Sequence, residues 1–244
     1  MKAFFAAIRF LTIVPVPGRW AGGAGALARS VPFFPFVGLM IGGVAAGAAA
    51  GLVHVLPAGP AAALLVLLLA GASGALHLDG LADTADGFLS SRPREQVLEI
   101  MRDSCSGAMG VMALVGILLL KYACFVSLPG GRWWRAALLV PVAGRVALIL
   151  LMSLLSYARP AGGLGTAFYQ KRHGVALLVG LVVLAAAGWA TLRTAGLAAA
   201  GFSVLLVLVF AGLCRRRIGG ATGDTLGAAC EIAETACLVG LSAW

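Results

Sequence analysis

The chain has 244 residues, of which 61% are hydrophobic and only 11% are charged, and its formal net charge is +9. A soluble domain carries about 25% charged residues, so this composition excludes an ordinary soluble protein and predicts a polytopic membrane protein. Nucleic acid is not an expected partner, because the basic residues stand at the ends of apolar stretches rather than in a tract with interleaved aromatic residues. A single integral-membrane domain over residues 1–244 is expected.

Hydropathy predicts an all-α bundle of about seven transmembrane helices in the lipid bilayer, because each span needs about 20 mostly apolar residues. Before the first span, residues 1–17 predict a retained amphipathic segment, since Arg9 interrupts their apolar run. A short interfacial helix is expected near 92–103, where apolar residues recur on one helical face. The predicted spans are 33–56, 60–77, 108–128, 134–157, 175–193, 195–213 and 226–243.

All nine acidic residues lie in two short windows of the sequence, 79–103 and 224–234. A carboxylate close to the hydrocarbon of a membrane is costly, so it indicates a functional site. Two such windows predict one site that is built from distant parts of the chain.

Lysine and arginine residues are divided unevenly between the two sides of the predicted bundle. With seven spans, thirteen of them fall on one side and only Arg132, Arg135 and Arg193 fall on the other. Cytoplasmic loops carry the excess of basic residues, so the richer side is predicted to be cytoplasmic. Both acidic windows lie on that side, and the expected location is a bacterial inner membrane with the acidic site facing the cytoplasm.

Three aspartates dominate the first window. Asp79, Asp83 and Asp86 stand at positions i, i+4 and i+7, which share one face of a helix. They would repel one another unless a cation neutralised them, and oxygen-only ligands suit Mg²⁺. We therefore predict a Mg²⁺ site at these residues; the alternative is a solvated acidic helix face. The neighbouring His77 is either a structural histidine or a group that orients a carboxylate or contacts phosphate.

The second window carries its carboxylates into the last predicted span. Asp224 and Glu231 are seven residues apart and share a helical face, with Glu234 near it. A buried carboxylate needs a cation, a proton or a polar partner. Lys121 and Arg145 lie inside other spans and are the expected partners. Internal ion pairs that only hold the bundle together are the alternative to a substrate-binding role.

Several longer strings carry a resemblance to a known family. They are Phe10-Leu11-Thr12, Phe34-Pro35-Phe36-Val37-Gly38, the HLDGLADTADG string at 77–87, the MRDS string at 101–104 and the GGATGDTLGA string at 219–228. Because it carries these strings in this order, the chain resembles the cobalamin synthase family, the adenosylcobinamide-GDP ribazoletransferases of vitamin B12 assembly. The resemblance covers nearly the whole chain, although residues 125–210 match mainly in hydropathy.

The resemblance implies a Mg²⁺-dependent membrane transferase that joins adenosylcobinamide-GDP to α-ribazole or its 5′-phosphate and releases GMP. In such a displacement the protein positions groups and neutralises charge. The expected catalytic residues are Asp79, Asp83, Asp86 and Asp103, with Asp86 or Asp103 as the general base. The expected substrate-binding residues are His77, Arg102, Lys121, Arg145, Thr222, Asp224 and Glu231.

Two other classes of protein compete with this interpretation. A cation- or proton-coupled membrane carrier would also use carboxylates, but no internal repeat is visible and the acidic residues crowd on one side of the membrane. A purely structural scaffold does not explain three aspartates on one face. The oligomeric state stays open, a homo-oligomer included.

Overall fold

The structure, a computed structural model, describes residues 1–103, 105–159, 164–170 and 173–244. Within these ranges the regular secondary structure is helical, apart from an isolated bridge between Tyr157 and Ala221. Short 3₁₀ helices cover Val31–Phe33, Gly130–Arg132 and Leu164–Gln170. The α-helices are α1 Lys2–Leu11, α2 Gly18–Ala21, α3 Ala24–Ala28, α4 Phe34–Val55, α5 Ala58–Ala72, α6 Leu76–Leu89, α7 Arg94–Ile100, α8 Ala108–Ser127, α9 Trp133–Leu154, α10 Gly174–Ile218 and α11 Gly223–Ser242.

The helices confirm the predicted all-α membrane bundle. Among the described residues, five helical segments are long and apolar enough to cross a membrane: Val31–Val55, Ala108–Ser127, Gly130–Leu154, Gly174–Ile218 and Gly223–Ser242. The pair α5 and α6 meets the same criteria together, although the two helices are bent by 88° to one another. The predicted interfacial helix near 92–103 is found as α7.

The long helix α10 is two helices that double back on one another. Its 45 residues would span about 68 Å as one straight helix, more than twice the roughly 30 Å of membrane hydrocarbon. The backbone leaves the helical region at Leu192 and Arg193, and Arg193 has a φ of 53°. A Cβ added to Gly188 would lie 2.9 Å from the carbonyl oxygen of Gly196. Eight residues of a straight helix would separate these glycines by about 12 Å, so the chain reverses here, as the predicted spans 175–193 and 195–213 require.

Helix α9 lies at the centre of the bundle and packs against α4, α10 and α11. Nearly all of its side chains are buried, whereas much of α8 is exposed on the outside of the bundle. Glycines allow the closest approach: a Cβ on Gly38 would lie 2.8 Å from the Pro141 carbonyl oxygen. Small residues at such crossings are typical of membrane helices.

Helix α6, which carries the three aspartates, packs on α11. A Cβ on Gly80 would lie 2.7 Å from the carbonyl oxygen of Asp224, and one on Gly227 would lie 3.1 Å from that of His77. The two helices therefore touch through their backbones, and this contact brings the two acidic windows together.

Candidate active site

Carboxylates from both acidic windows meet where α6 crosses the beginning of α11. Asp79 and Asp224 line the same cavity. The charges of Asp79, Asp224 and Asp86 all act unfavourably on the half-buried Asp83. We refer to Asp79, Asp83 and Asp224 as the acidic cluster. The cluster has the spatial arrangement expected of one site assembled from two distant segments; its catalytic role stays a prediction.

Asp86 differs from the other two aspartates of α6. Its oxygens accept backbone N–H groups of Gly107, at 2.7 Å, and of Gly110, at 2.8 Å, at the start of α8. The beginning of a helix has unpaired N–H groups and a positive dipole end, so a carboxylate there is stabilising. Both oxygens are engaged in this anchor. The three aspartates predicted as alike in metal binding are therefore not equivalent, and Asp86 has a structural task of its own.

The fit of the acidic cluster to Mg²⁺ depends on what else would bind the ion. Within the described part of the chain, no group of three or more histidine, cysteine or acidic side chains converges to form a metal cage. Mg²⁺ is commonly held by only one or two carboxylates together with substrate phosphates. Asp79, which is exposed, and Asp83 have the chemistry for such a site. Mg²⁺ binding by these residues stays a prediction.

Arg159 is the cation nearest to the acidic cluster among the described contacts. Its guanidinium donates to the Asp224 carboxylate at 2.6 Å and to the Met101 carbonyl at 3.2 Å. The segment before Arg159 is fixed by two backbone hydrogen bonds: the Ala158 N–H donates to the Ala221 carbonyl at 2.8 Å, and the Ala221 N–H donates to the Ser156 carbonyl at 2.9 Å. Sequence reasoning placed Arg159 only in a polar connection, because nothing in that segment signals a partner 65 residues away.

A second group of charges is buried between α8, α9 and α11. Lys121 contacts Glu231 and Glu234 at 2.7 Å each, and Arg145 contacts Glu234 at 2.6 Å. Two cations and two carboxylates balance one another, as buried charges require. This geometry agrees with the alternative of internal ion pairs. The substrate-binding role predicted for Lys121, Arg145 and Glu231 stays a prediction, and the structure gives these residues partners within the protein.

The remaining predicted residues have different surroundings. Thr222 is fully buried and caps α11, where its hydroxyl accepts the Thr225 N–H at 3.3 Å. Its hydroxyl also donates to Asp224 at 3.2 Å, so it orients that carboxylate. Arg102 and Asp103 are exposed in the segment after α7, and one oxygen of Asp103 accepts the Cys105 N–H at 3.0 Å.

Asp79 and Asp224 of the acidic cluster border a cavity of about 240 Å³, which we call the aromatic cavity. The rings of Phe10, Phe34 and Phe168 lie along it, with 4.9 Å between the centroids of Phe10 and Phe168. Tyr157 also lines it, and burial raises the pKa of the adjacent Tyr169. The polar lining residues are His77, Asp79, Arg159 and Asp224.

Sequence reasoning did not find the aromatic cavity. Phe10 and Phe34 belong to strings that carried the family resemblance, so a signal existed. Nothing in the sequence, however, indicates that these two residues meet Phe168, which is more than 130 positions further along the chain. The convergence depends on the N-terminal helix packing beside α4, which only the tertiary structure reveals.

Together the fold and the site define a polytopic helical membrane protein with a carboxylate-bordered cavity, an arrangement suited to an enzyme that acts on a charged substrate at a membrane. The chain belongs to the cobalamin-5-phosphate synthase family, whose model matches residues 3–242. It is similar to proteins named adenosylcobinamide-GDP ribazoletransferase from three bacteria. The protein of Desulforamulus reducens is 40% identical over 94% of this chain and 91% of its own length. That of Acetivibrio thermocellus is 36% identical over 98% and 96%.

The third relative, from Geotalea daltonii, is 36% identical over 100% of this chain and 98% of its own length. The chain is therefore similar to these proteins over its full extent, in agreement with the resemblance seen in its strings. No solved structure matches the chain.

Proposed function

We propose that this protein transfers the adenosylcobinamide phosphoryl group from adenosylcobinamide-GDP to a ribose hydroxyl of α-ribazole or its 5′-phosphate, with release of GMP. The printed name of its relatives, adenosylcobinamide-GDP ribazoletransferase, supports this reaction. The structural observation that carries the proposal is that Asp79 and Asp224, from two distant windows, line one cavity beside Asp83.

The reaction follows from the chemistry of the two substrates. The ribose hydroxyl attacks the phosphorus that is attached to the corrinoid arm, the bond from that phosphorus to the bridging oxygen breaks, and GMP leaves. Catalysis of such a step is largely positioning and neutralisation of charge. Asp79 and Asp83 would hold Mg²⁺ together with the pyrophosphate oxygens. When bound, the ion would offset the negative charge that develops on the leaving phosphate.

The hydroxyl proton needs an acceptor, and two observations on Asp86 and Asp103 support a choice between the two residues expected from the sequence. Both oxygens of Asp86 are occupied by the start of α8. Asp103 is exposed, and one of its oxygens accepts the Cys105 N–H; the other accepts no hydrogen bond from the described residues and could take a proton. We therefore favour Asp103 over Asp86 as general base. Arg159, which already pairs with Asp224, is suited to contact a phosphate oxygen when substrate enters.

The uneven distribution of basic residues supports a cytoplasmic location for the site. Arg94 and Arg217, both on the predicted cytoplasmic side, bind carbonyl groups of neighbouring segments: Arg94 donates to Ile218 at 2.8 Å, and Arg217 to Ser90 at 2.5 Å. They fix the polar ends of α6 and α10 beside the site. Both substrates are water-soluble, which accords with a site at the cytoplasmic surface of the inner membrane.

Release of GMP tests the proposal directly. Purified protein in detergent is given adenosylcobinamide-GDP and α-ribazole 5′-phosphate with Mg²⁺, and GMP is measured by chromatography. We expect GMP and the corrinoid product in equal amounts, and loss of both with chelator. Glu99→Gln, on the exposed face of α7, is the control variant for Asp79→Asn. Movement of substrate into vesicles without GMP release would instead support the carrier.

A further inference from the structure

We propose that the end of the bundle remote from the acidic cluster binds the phosphate headgroup of an anionic phospholipid. The site is a cavity of about 390 Å³ lined by Arg132, Arg135 and Arg193, which we call the arginine cavity. Helix α11 begins at the acidic cluster and ends, 20 residues or about 30 Å further on, beside the arginine cavity. The two sites are therefore separate, and the inference does not depend on the proposed transferase reaction.

The three arginines come from two distant parts of the chain. Arg132 and Arg135 lie at the start of α9, and Arg193 lies at the reversal within α10. They are all the basic residues that the predicted topology places on this side of the membrane, and all three line the same cavity. An arginine that only extends to water at a membrane surface needs no such convergence. Their meeting in one cavity therefore indicates a shared ligand.

The arginine cavity holds positive charge without a matching carboxylate side chain. None of the nine acidic residues lines it. Among the residues that the structure describes, the three guanidinium groups have no ion pair and no hydrogen bond. Arg135 and Arg193 lie instead over the rings of Trp134 and Trp189, each with 5.2 Å between the guanidinium carbon and the ring centroid. This contact positions the charge but satisfies none of the N–H donors, which an anion would satisfy.

The backbone of Arg193 gives an independent reason to assign a role to its side chain. Its φ of 53° and ψ of −127° lie in a region that residues other than glycine rarely adopt. Glycine would allow the same reversal of α10 without strain, yet the chain carries an arginine there. Strained residues of this kind cluster at ligand sites, where the surrounding contacts offset the strain.

The surroundings of the arginine cavity favour a phospholipid over a free anion. Guanidinium groups bind phosphate oxygens through paired N–H donors. Trp134, Trp189 and Trp244 are 40–68% exposed in or beside the cavity, and tryptophan rings at helix ends are typical of the headgroup level of a membrane. The helix α10 also exposes Leu178 and Val182 on the membrane side of its reversal, where acyl chains would lie. The cavity volume is in the range of pockets that hold small organic ligands.

Native mass spectrometry of the full chain in an uncharged detergent tests the site, because it counts bound lipid molecules. Phosphatidylglycerol and phosphatidylcholine with the same acyl chains are titrated separately. We expect the first phosphatidylglycerol to bind about tenfold more tightly than phosphatidylcholine. Arg135→Ala should weaken its binding about tenfold, whereas the control Arg92→Ala, which removes an exposed charge on the predicted cytoplasmic side, should change it by less than about twofold. Equal binding of the two lipids, or equal affinities of the two variants, would overturn the proposal.

Arg193→Gly separates lipid binding from folding. Glycine relieves the strained φ, so the unfolding temperature in detergent should stay the same or rise. The affinity for phosphatidylglycerol should nevertheless fall about tenfold, because one of the three guanidinium groups is lost. A lower unfolding temperature with unchanged affinity would show that Arg193 only supports the reversal of α10, and would overturn the proposal.

Inorganic phosphate distinguishes a lipid headgroup from a soluble anion. We expect phosphatidylglycerol to raise the unfolding temperature of the unmodified protein more than inorganic phosphate at the same concentration, since a ligand stabilises in proportion to its binding. The difference should disappear in Arg135→Ala. Stabilisation by inorganic phosphate alone, with no preference between the two lipids, would assign the arginine cavity to a soluble anion and overturn its assignment to a phospholipid.

Discussion

Arg159 and Asp224 form an ion pair of 2.6 Å at the wall of the aromatic cavity, and this pair joins two segments that are far apart in the sequence. Arg159 follows the segment that pairs with Ala221, and Asp224 is in the first turn of α11. Each side chain is 15–20% exposed, so the pair is within reach of solvent and of a substrate. The pair therefore holds two distant segments together at the site. Its guanidinium is also placed where it could contact a substrate phosphate.

Arg159→Ala should lower GMP release about tenfold or more, because it leaves Asp224 without its cation and removes the bond to the Met101 carbonyl. Because the pair is mostly buried, the loss of stability should be about 1–3 kcal/mol. Arg159→Lys keeps the charge but not the fork-shaped donor, so it should recover only part of the activity. Initial rates and thermal unfolding of both variants, beside the exposed Arg92→Ala, measure the two effects. Equal rates in all three would show that the pair is only structural.

Asp79→Asn and Asp86→Asn should separate catalysis from anchoring. Asp79 is exposed, so its substitution should leave the unfolding temperature unchanged and lower GMP release about hundredfold. Asp86→Asn replaces a charged acceptor of two N–H groups and should cost about 2 kcal/mol, or about 5 °C of unfolding temperature. Calorimetry and rate measurements on the same samples show which variant loses stability and which loses activity. A stable but inactive Asp86→Asn protein would show instead that Asp86 is a catalytic residue.

The sequence predicted the all-α bundle better than it predicted the contacts of the site. Apolar length locates most of the spans, but the predicted span 60–77 was wrong as a single helix, since α5 ends at Ala72 and the chain bends by 88° into α6. Arg193 marks the reversal within α10 because a charge interrupts the hydrophobic pattern there. The spacing of Asp79, Asp83 and Asp86 predicted one helical face, which α6 provides. The spacing could not show that Asp86 binds the start of α8, since that partner is 21 residues away and is defined by backbone N–H groups rather than side chains.

The buried charges of Lys121, Glu231, Glu234 and Arg145 should behave as one unit. Lys121→Met leaves Glu231 with no cation in its described contacts and should destabilise the protein by about 3–5 kcal/mol. The double variant Lys121→Met with Glu231→Gln removes one charge of each sign and should cost clearly less, with Glu234 still paired to Arg145. Unfolding of the two single variants and the double variant forms a cycle that measures the coupling. Undiminished stability of Lys121→Met, together with a raised KM, would support the substrate-binding role instead.

Gly80→Ala should separate the two acidic windows without changing any charge. The added Cβ would lie 2.7 Å from the Asp224 carbonyl oxygen, closer than real contacts allow, so α6 and α11 must move apart. Such overpacking costs about 1–3 kcal/mol, and the shift should increase the distance between Asp79 and Asp224. Because a displacement of about 1 Å can lower a rate about hundredfold, activity should fall far more than stability. Gly43→Ala in α4 is the matched control: its Cβ meets nothing within 4 Å, and alanine there should be neutral or slightly stabilising. If Gly80→Ala turns over substrate as fast as Gly43→Ala, the close contact of α6 with α11 is not what aligns the site.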